Sequence, residues 1–135
     1  MSRHVKLEDT SKVKVKRLKP IKKAFIQNTA LPAVNTAWLS SSIKPKHTPC
    51  GIRMTVGVST PGNLSVVITH SGYTAQTLAL NQGQPLAQGS IYVFEFMLHH
   101  GDRLNFQYST TGGTIQILRV EEIDASVAVG NVSTT

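Results

Sequence analysis

The sequence predicts an all-β chain: an antiparallel β-sandwich with jelly-roll character, preceded by an extended basic N-terminal arm. Three observations lead there. Short runs alternating apolar and polar residues recur from residue 51 onward, separated by Gly, Pro, Asn and Ser. No stretch holds an apolar period of 3.6 residues over a useful length. Lysine stops at Lys46 in a chain of 135 residues, so the two parts of the chain must carry different surfaces.

The boundaries read from the sequence are residues 1–47 for the arm, 48–125 for the sandwich and 126–135 for a small polar tail. In the arm, Lys12, Lys14 and Lys16 alternate with Val13 and Val15, the period of a strand with one basic and one apolar face. Pro20 and Pro32 argue against helix across this region. The run ALPAVNTAWLSSSIKPKHTPC that follows is expected to be extended, pinned by Val34, Trp38, Leu39 and Ile43 to its own domain or to a neighbour's.

The domain then reads strand by strand. Ile52, Met54, Val56 and Val58 alternate with Arg53, Thr55 and Gly57, and Ser59-Thr-Pro-Gly-Asn63 is a turn. Leu64, Val66 and Ile68 face one way before a turn at His70-Ser-Gly72. Residues 73–80 form a weaker strand that runs into a polar loop. Residues 90–98 form the strongest strand, with Tyr92, Phe94, Phe96 and Leu98 on one face and Ile91, Val93 and Met97 on the other. Apolar on both faces, it is expected to be central or to turn one face to a partner. Leu104, Phe106 and Tyr108 mark the next strand. In the last, residues 114–120, the apolar phase slips between Ile117 and Leu118, which predicts a β-bulge or cover on both sides.

Charge is segregated. Residues 1–47 hold eleven Lys and Arg against Glu8 and Asp9, +9 in all; beyond them Arg53, Arg103 and Arg119 face Glu95, Asp102, Glu121, Glu122 and Asp124, −2 in all. The single cysteine, Cys50, leaves no internal disulfide and no multi-cysteine zinc site. No apolar run approaches the roughly 20 residues of a membrane span, and no apolar segment follows the basic N-terminus as in a secretory signal. The expectation is a protein made and assembled inside a cell, with Asn63-Leu-Ser and Asn131-Val-Ser as coincidental glycosylation patterns.

Catalytic signatures are lacking: no GxSxG, P-loop, HExxH or spaced carboxylate pair. His99-His100 reads as a hairpin tip rather than a metal site, Cys50 as a structural thiol, and Asp102 as a turn residue bonding local N–H groups. The expectation is a non-enzyme with no cofactor and no metal.

Tyr92-Val-Phe-Glu-Phe96, Gly101-Asp-Arg-Leu-Asn-Phe106 and Ile115-Gln-Ile-Leu-Arg-Val-Glu-Glu122, together with a Gly/Asn-rich loop, resemble small β-sandwich virion proteins of tailed bacterial and archaeal viruses. The resemblance spans about residues 35–123 and leaves out the basic arm. It implies a structural module that decorates capsids or builds necks, fibres or baseplates, hence a virion location after assembly in the host cytoplasm.

The arm has three readings. Its cations bind nucleic acid, or dock on an acidic protein surface, or form a solvated tail. Valine at alternate positions adds nothing to a purely electrostatic tail but suits a strand added to another sheet, which favours docking on a major capsid protein or another virion protein. The candidate contacts are Lys12, Val13, Lys14, Val15, Lys16, Arg17, Lys19, Lys22 and Lys23. Disordered when free, the arm is expected to order on its partner. Trp38 either closes the sandwich or joins Ile91, Val93 and Met97 as an interface anchor in a homodimer or homotrimer. The expected function is capsid decoration or cementing. The alternatives are a fibre or baseplate module whose polar loops around Asn81, Gln82, Gln84, Gln88 and Ser109 to Thr111 bind host glycan, and a capsid protein whose arm binds packaged nucleic acid.

Overall fold

Seven strands form in the computed structural model, which describes residues 19–124: β1 (Ile21–Ala30), β2 (Cys50–Val58), β3 (Leu64–His70), β4 (Gln76–Ala79), β5 (Ile91–Leu98), β6 (Asp102–Tyr108) and β7 (Thr114–Ile123). They make two antiparallel sheets, ordered β1-β7-β2-β5 and β4-β3-β6, packed as an all-β sandwich. The chain passes from one sheet to the other at β2–β3, β4–β5, β5–β6 and β6–β7. Among the described residues the one helical element is a 3-10 turn, Asn81–Gly83, in the polar loop.

Alternation in each strand decides what is inside. Ile52, Met54, Val56 and Val58 of β2, Phe94, Phe96 and Leu98 of β5, and Leu118 and Val120 of β7 point into the sandwich. They meet Leu64 and Val66 of β3 and Leu104, Phe106 and Tyr108 of β6 from the other sheet. Tyr108 can be buried because its hydroxyl donates to the Thr60 carbonyl at 2.7 Å. Burial, and then Tyr92 nearby, push its pKa up to about 12.

The slip expected in the last strand is a register shift. Gly57 pairs with Ile117 but Val58 pairs with Ile115, so Gln116 is the extra residue of a β-bulge. The bulge lets Ile115 and Leu118, three apart, both face the core. Asn28, across from it on β1, takes φ +49°, the left-handed region that asparagine tolerates better than most residues.

Two expectations about the chain's organisation need correction. The boundary at residue 48 moves: residues 21–47 are part of the sandwich. Pro20 and Pro32, which argue against helix, bracket the strand β1 at a sheet edge, where a missing N–H is harmless. Ala24 and Ile26 of β1 pack on the core. Residues 31–43 then run as a strap along the free edge of β6. Asn35 N–H donates to Tyr108 O at 2.8 Å, Trp38 N–H to Phe106 O at 2.9 Å, and Ile43 N–H to Leu104 O at 2.8 Å. Where the strap lifts away, the Asn105 amide fills in, accepting from Leu39 N–H and donating to Leu39 O, both at 3.0 Å. The partner of this segment is therefore its own domain. The second correction concerns β5. It is not central but an edge strand, and among the described residues no second layer covers its outer face, where Ile91 and Val93 are exposed.

Candidate protein-interaction surface

The outer face of the four-stranded sheet follows from the registers. Lys22, Glu121, Arg53 and Glu95 lie side by side across β1, β7, β2 and β5. The next row is Phe25, Arg119, Thr55 and Val93, and the third is Gln27, Ile117, Gly57 and Ile91. The first row alternates in sign from strand to strand, the arrangement that cross-strand pairing favours. Arg53 Nε donates to Glu95 Oε2 at 2.6 Å, and an Arg119 guanidinium N–H donates to Glu121 Oε2 at 2.9 Å. Lys22 makes no ion pair among the described residues, and its Nζ stands 5.9 Å from the centre of the Phe25 ring.

Beside this charged row the face is mixed, with large apolar side chains open to solvent at its two margins and Arg119 between them. Ile91 is 59% exposed, Val93 57% and Phe25 49%. Gly57 keeps the third row low: a Cβ there would stand 2.7 Å from Ile91 Cδ1, so Ile91 and Ile117 close over the glycine instead. Isolated exposed apolar side chains are ordinary; Ile91 and Val93 stand together on β5, and Phe25 stands at the opposite margin on β1, with Arg119 and Thr55 between them.

The sequence-derived candidates divide. Ile91 and Val93 stand on this face, and Met97 lies half-buried further along it, opposite Gly51. Trp38 does not. It is 7% exposed, with its ring centre 5.9 Å from Tyr108 and 6.3 Å from Phe106, so it closes the sandwich and has no area left to anchor a neighbour. Of the arm residues, Lys12, Val13, Lys14, Val15, Lys16 and Arg17 lie outside the described residues. Lys19 is exposed just before β1, and Lys22 is exposed on the outer face. Lys23, bulged out of register with β7, turns inward and sits 3.7 Å from Glu122 Oε1.

Glu122 was not singled out from sequence, yet it organises one end of the domain. Its side chain is 2% exposed. It accepts from Lys46 N–H at 2.6 Å, His47 N–H at 2.8 Å and His47 Nδ1 at 2.9 Å. Burial alone would raise its pKa; the bonds from Lys46 and His47, with the Lys23 charge, outweigh that and hold it below the ordinary carboxylate value. A Glu at the close of a strand gives no sequence sign of such a role, because its donors lie some 75 positions away.

Beside it, Lys44, Lys46, Thr48, His100 and Arg103 line a cleft of about 390 Å³. Asp102, also at this cleft, accepts from His99 N–H at 2.9 Å as expected of a turn residue, and its other oxygen is 3.1 Å from His70 Nδ1. His99 and His100 are exposed in the same turn. Among the described residues no group of three or more His, Cys, Asp or Glu is placed to hold a metal ion, and no helix is long and apolar enough to cross a membrane.

Cys50 is buried at the start of β2, and burial, followed by the Glu122 charge, pushes its thiol up to about 11. The thiolate needed for nucleophilic attack is scarce at neutral pH. Iodoacetamide at pH 8 is expected to leave Cys50 unmodified in native buffer and to alkylate it fully in 6 M guanidinium chloride, as read by intact mass. Rapid native labelling would show the thiol to be open.

No protein-family model matches the chain, and no curated protein matches it.

Proposed function

We propose that the chain is a non-enzymatic virion structural protein, a capsid decoration or cement protein that fastens to the shell through its basic N-terminal segment. The observation that carries this is the placement of charge on the fold. Arg3, Lys6, Lys12, Lys14, Lys16, Arg17 and Lys19 all precede β1, which is the outer strand of its sheet, while the chain from residue 48 onward is net negative. A basic segment with alternating valines, leading into a sheet edge, suits an acidic protein surface that offers a strand-pairing site. The likeness of residues 35–123 to small virion sandwiches gives that surface its proposed identity, a major capsid protein or another virion protein.

The test removes residues 1–18, which leaves every described strand in place. Cosedimentation of the shortened chain with purified particles is expected to fall at least about tenfold relative to the full chain, as for the loss of several charge-assisted contacts. Undiminished cosedimentation would sink the cementing role. A gel shift of DNA by the full chain at physiological salt, abolished by the same deletion, would move the function to packaging instead.

A further inference from the structure

We propose that the outer face of the four-stranded sheet is the contact surface of a homodimer, two copies packed face to face about a two-fold axis parallel to the strands. This stands apart from what the basic segment binds and is tested without particles.

The charge order selects the partner. A two-fold axis along the strands, midway between β7 and β2, lays β1 over β5 of the second copy and β7 over β2. The row Lys22, Glu121, Arg53, Glu95 is then met by its own reverse. Lys22 faces Glu95 of the other copy, and Glu121 faces Arg53, each pairing occurring twice by symmetry. The in-chain bonds of Arg53 with Glu95 and of Arg119 with Glu121 need not break: the carboxylates, 10% and 15% exposed, retain unused lone pairs, and each guanidinium carries five N–H donors.

The same operation brings Phe25 over Val93 and Ile117 over Gly57, apolar on apolar, and lays Arg119, which keeps its bond to Glu121, over the Thr55 hydroxyl. Ile91 is laid over Gln27. Rotation about an in-plane axis across the strands fails by comparison. Through the charged row it sets Lys22 on Lys22 and Arg53 on Arg53. Through the middle row it sets Glu95 on Ile91 and Glu121 on Ile117, so each carboxylate keeps only its in-chain arginine and meets no cation across the contact. A self-complementary surface is the signature of an isologous contact.

Four strands span about 19 Å and the three rows with their margins about 25 Å, so each copy offers about 500 Å² in projection. That is the low end for a specific interface, and a dissociation constant of about 1–100 μM is expected.

Sedimentation velocity of the full chain from micromolar to millimolar concentration reads the equilibrium. Val93→Lys, at an exposed site, is expected to weaken dimerisation at least about a hundredfold, and Lys22→Glu about tenfold, with far-UV circular dichroism unchanged. Cysteine cross-linking reads the axis. Phe25→Cys with Val93→Cys in one chain should give covalent dimers with a short bismaleimide that spans the roughly 10 Å between packed sheets, whereas Val93→Cys alone should not, since the two copies of residue 93 lie at opposite margins. The buried Cys50 does not interfere. A wild-type chain that stays monomeric at 1 mM overturns the proposal, as does a dimer indifferent to Val93→Lys. Ready cross-linking of Val93→Cys by itself overturns the axis.

Discussion

Trp38→Ala is expected to cost about 4 kcal/mol of stability, the upper part of the range for a large aromatic removed from a core. Trp38 is 7% exposed, and its indole tilts against Phe106 and Tyr108, both essentially buried. It is also the main apolar hold of the strap on β6. Between Leu31 and Ile43 no other strap side chain is fully buried: Leu39 is half-buried and Val34 is 45% exposed. Losing the ring therefore opens a cavity over Phe106 and frees a β6 edge that strand pairing would otherwise seek to fill. Urea denaturation at pH 7 measures the loss, and thermal melting should fall by roughly 15 °C for a domain of this size. Trp38→Phe keeps part of the contact and should lose only about 1.5 kcal/mol. The wild-type emission, from the only tryptophan in the chain, should be blue-shifted in native buffer and should move red on unfolding. A loss under about 1 kcal/mol for Trp38→Ala would mean that the strap is not held by this ring.

Most of the sandwich could be read from period-two alternation, because one buried face writes itself into every second residue. The phases of Ile52 to Val58, Leu64 to Ile68 and Leu104 to Tyr108 are those of the core. The slip near Ile117 is a true bulge, placed at Gln116. β1 was harder to see. Its inward residues, Ile21, Ala24 and Ile26, break strict alternation because Lys23 is bulged, and two prolines flank it. An edge strand with small or half-buried inward residues leaves little pattern, and its basic residues masked the rest. The lysine and valine repeat at 12–16 drew the strand assignment upstream, onto residues outside the described part of the chain.

The outer face of the four-stranded sheet was half legible. Ile91 and Val93 could be singled out because a strand apolar on both faces needs two explanations, and the core accounts for only one. Their neighbours could not. Whether Phe25 or Lys22 shares that face depends on which strand lies beside which, and the order β1-β7-β2-β5 joins residues that the sequence keeps far apart, Lys22 beside Glu121 and Arg53 beside Glu95. The alternating row of charges exists only in that order. In the sequence, Lys22, Arg53, Glu95 and Glu121 are four unrelated charged residues.

Glu122→Ala should cost about 2–3 kcal/mol, because it removes a buried carboxylate from two backbone donors and a cation that are themselves only partly buried. Lys46 N–H and His47 N–H lose the acceptor they share, and Lys23 loses its counter-charge. Glu122→Gln preserves the shape but not the charge and should cost about 2 kcal/mol at pH 7. The pH dependence separates charge from shape. Folding holds the Glu122 carboxyl below its ordinary value, so the native state binds its proton less readily than the unfolded chain. The stabilisation is complete above the unfolded value, near pH 4.5, and is lost as the pH falls through the folded value. Urea midpoints at pH 7, 5, 4 and 3 should show wild type and Glu122→Gln converging at the acid end, since a protonated glutamate and a glutamine then offer similar groups to the same donors. A gap that stays constant down to pH 3 would locate the effect in packing. Convergence would place it in the ionised carboxylate that joins residues 46–47 to the end of β7, closing the same end of the sandwich at which β1 enters its sheet.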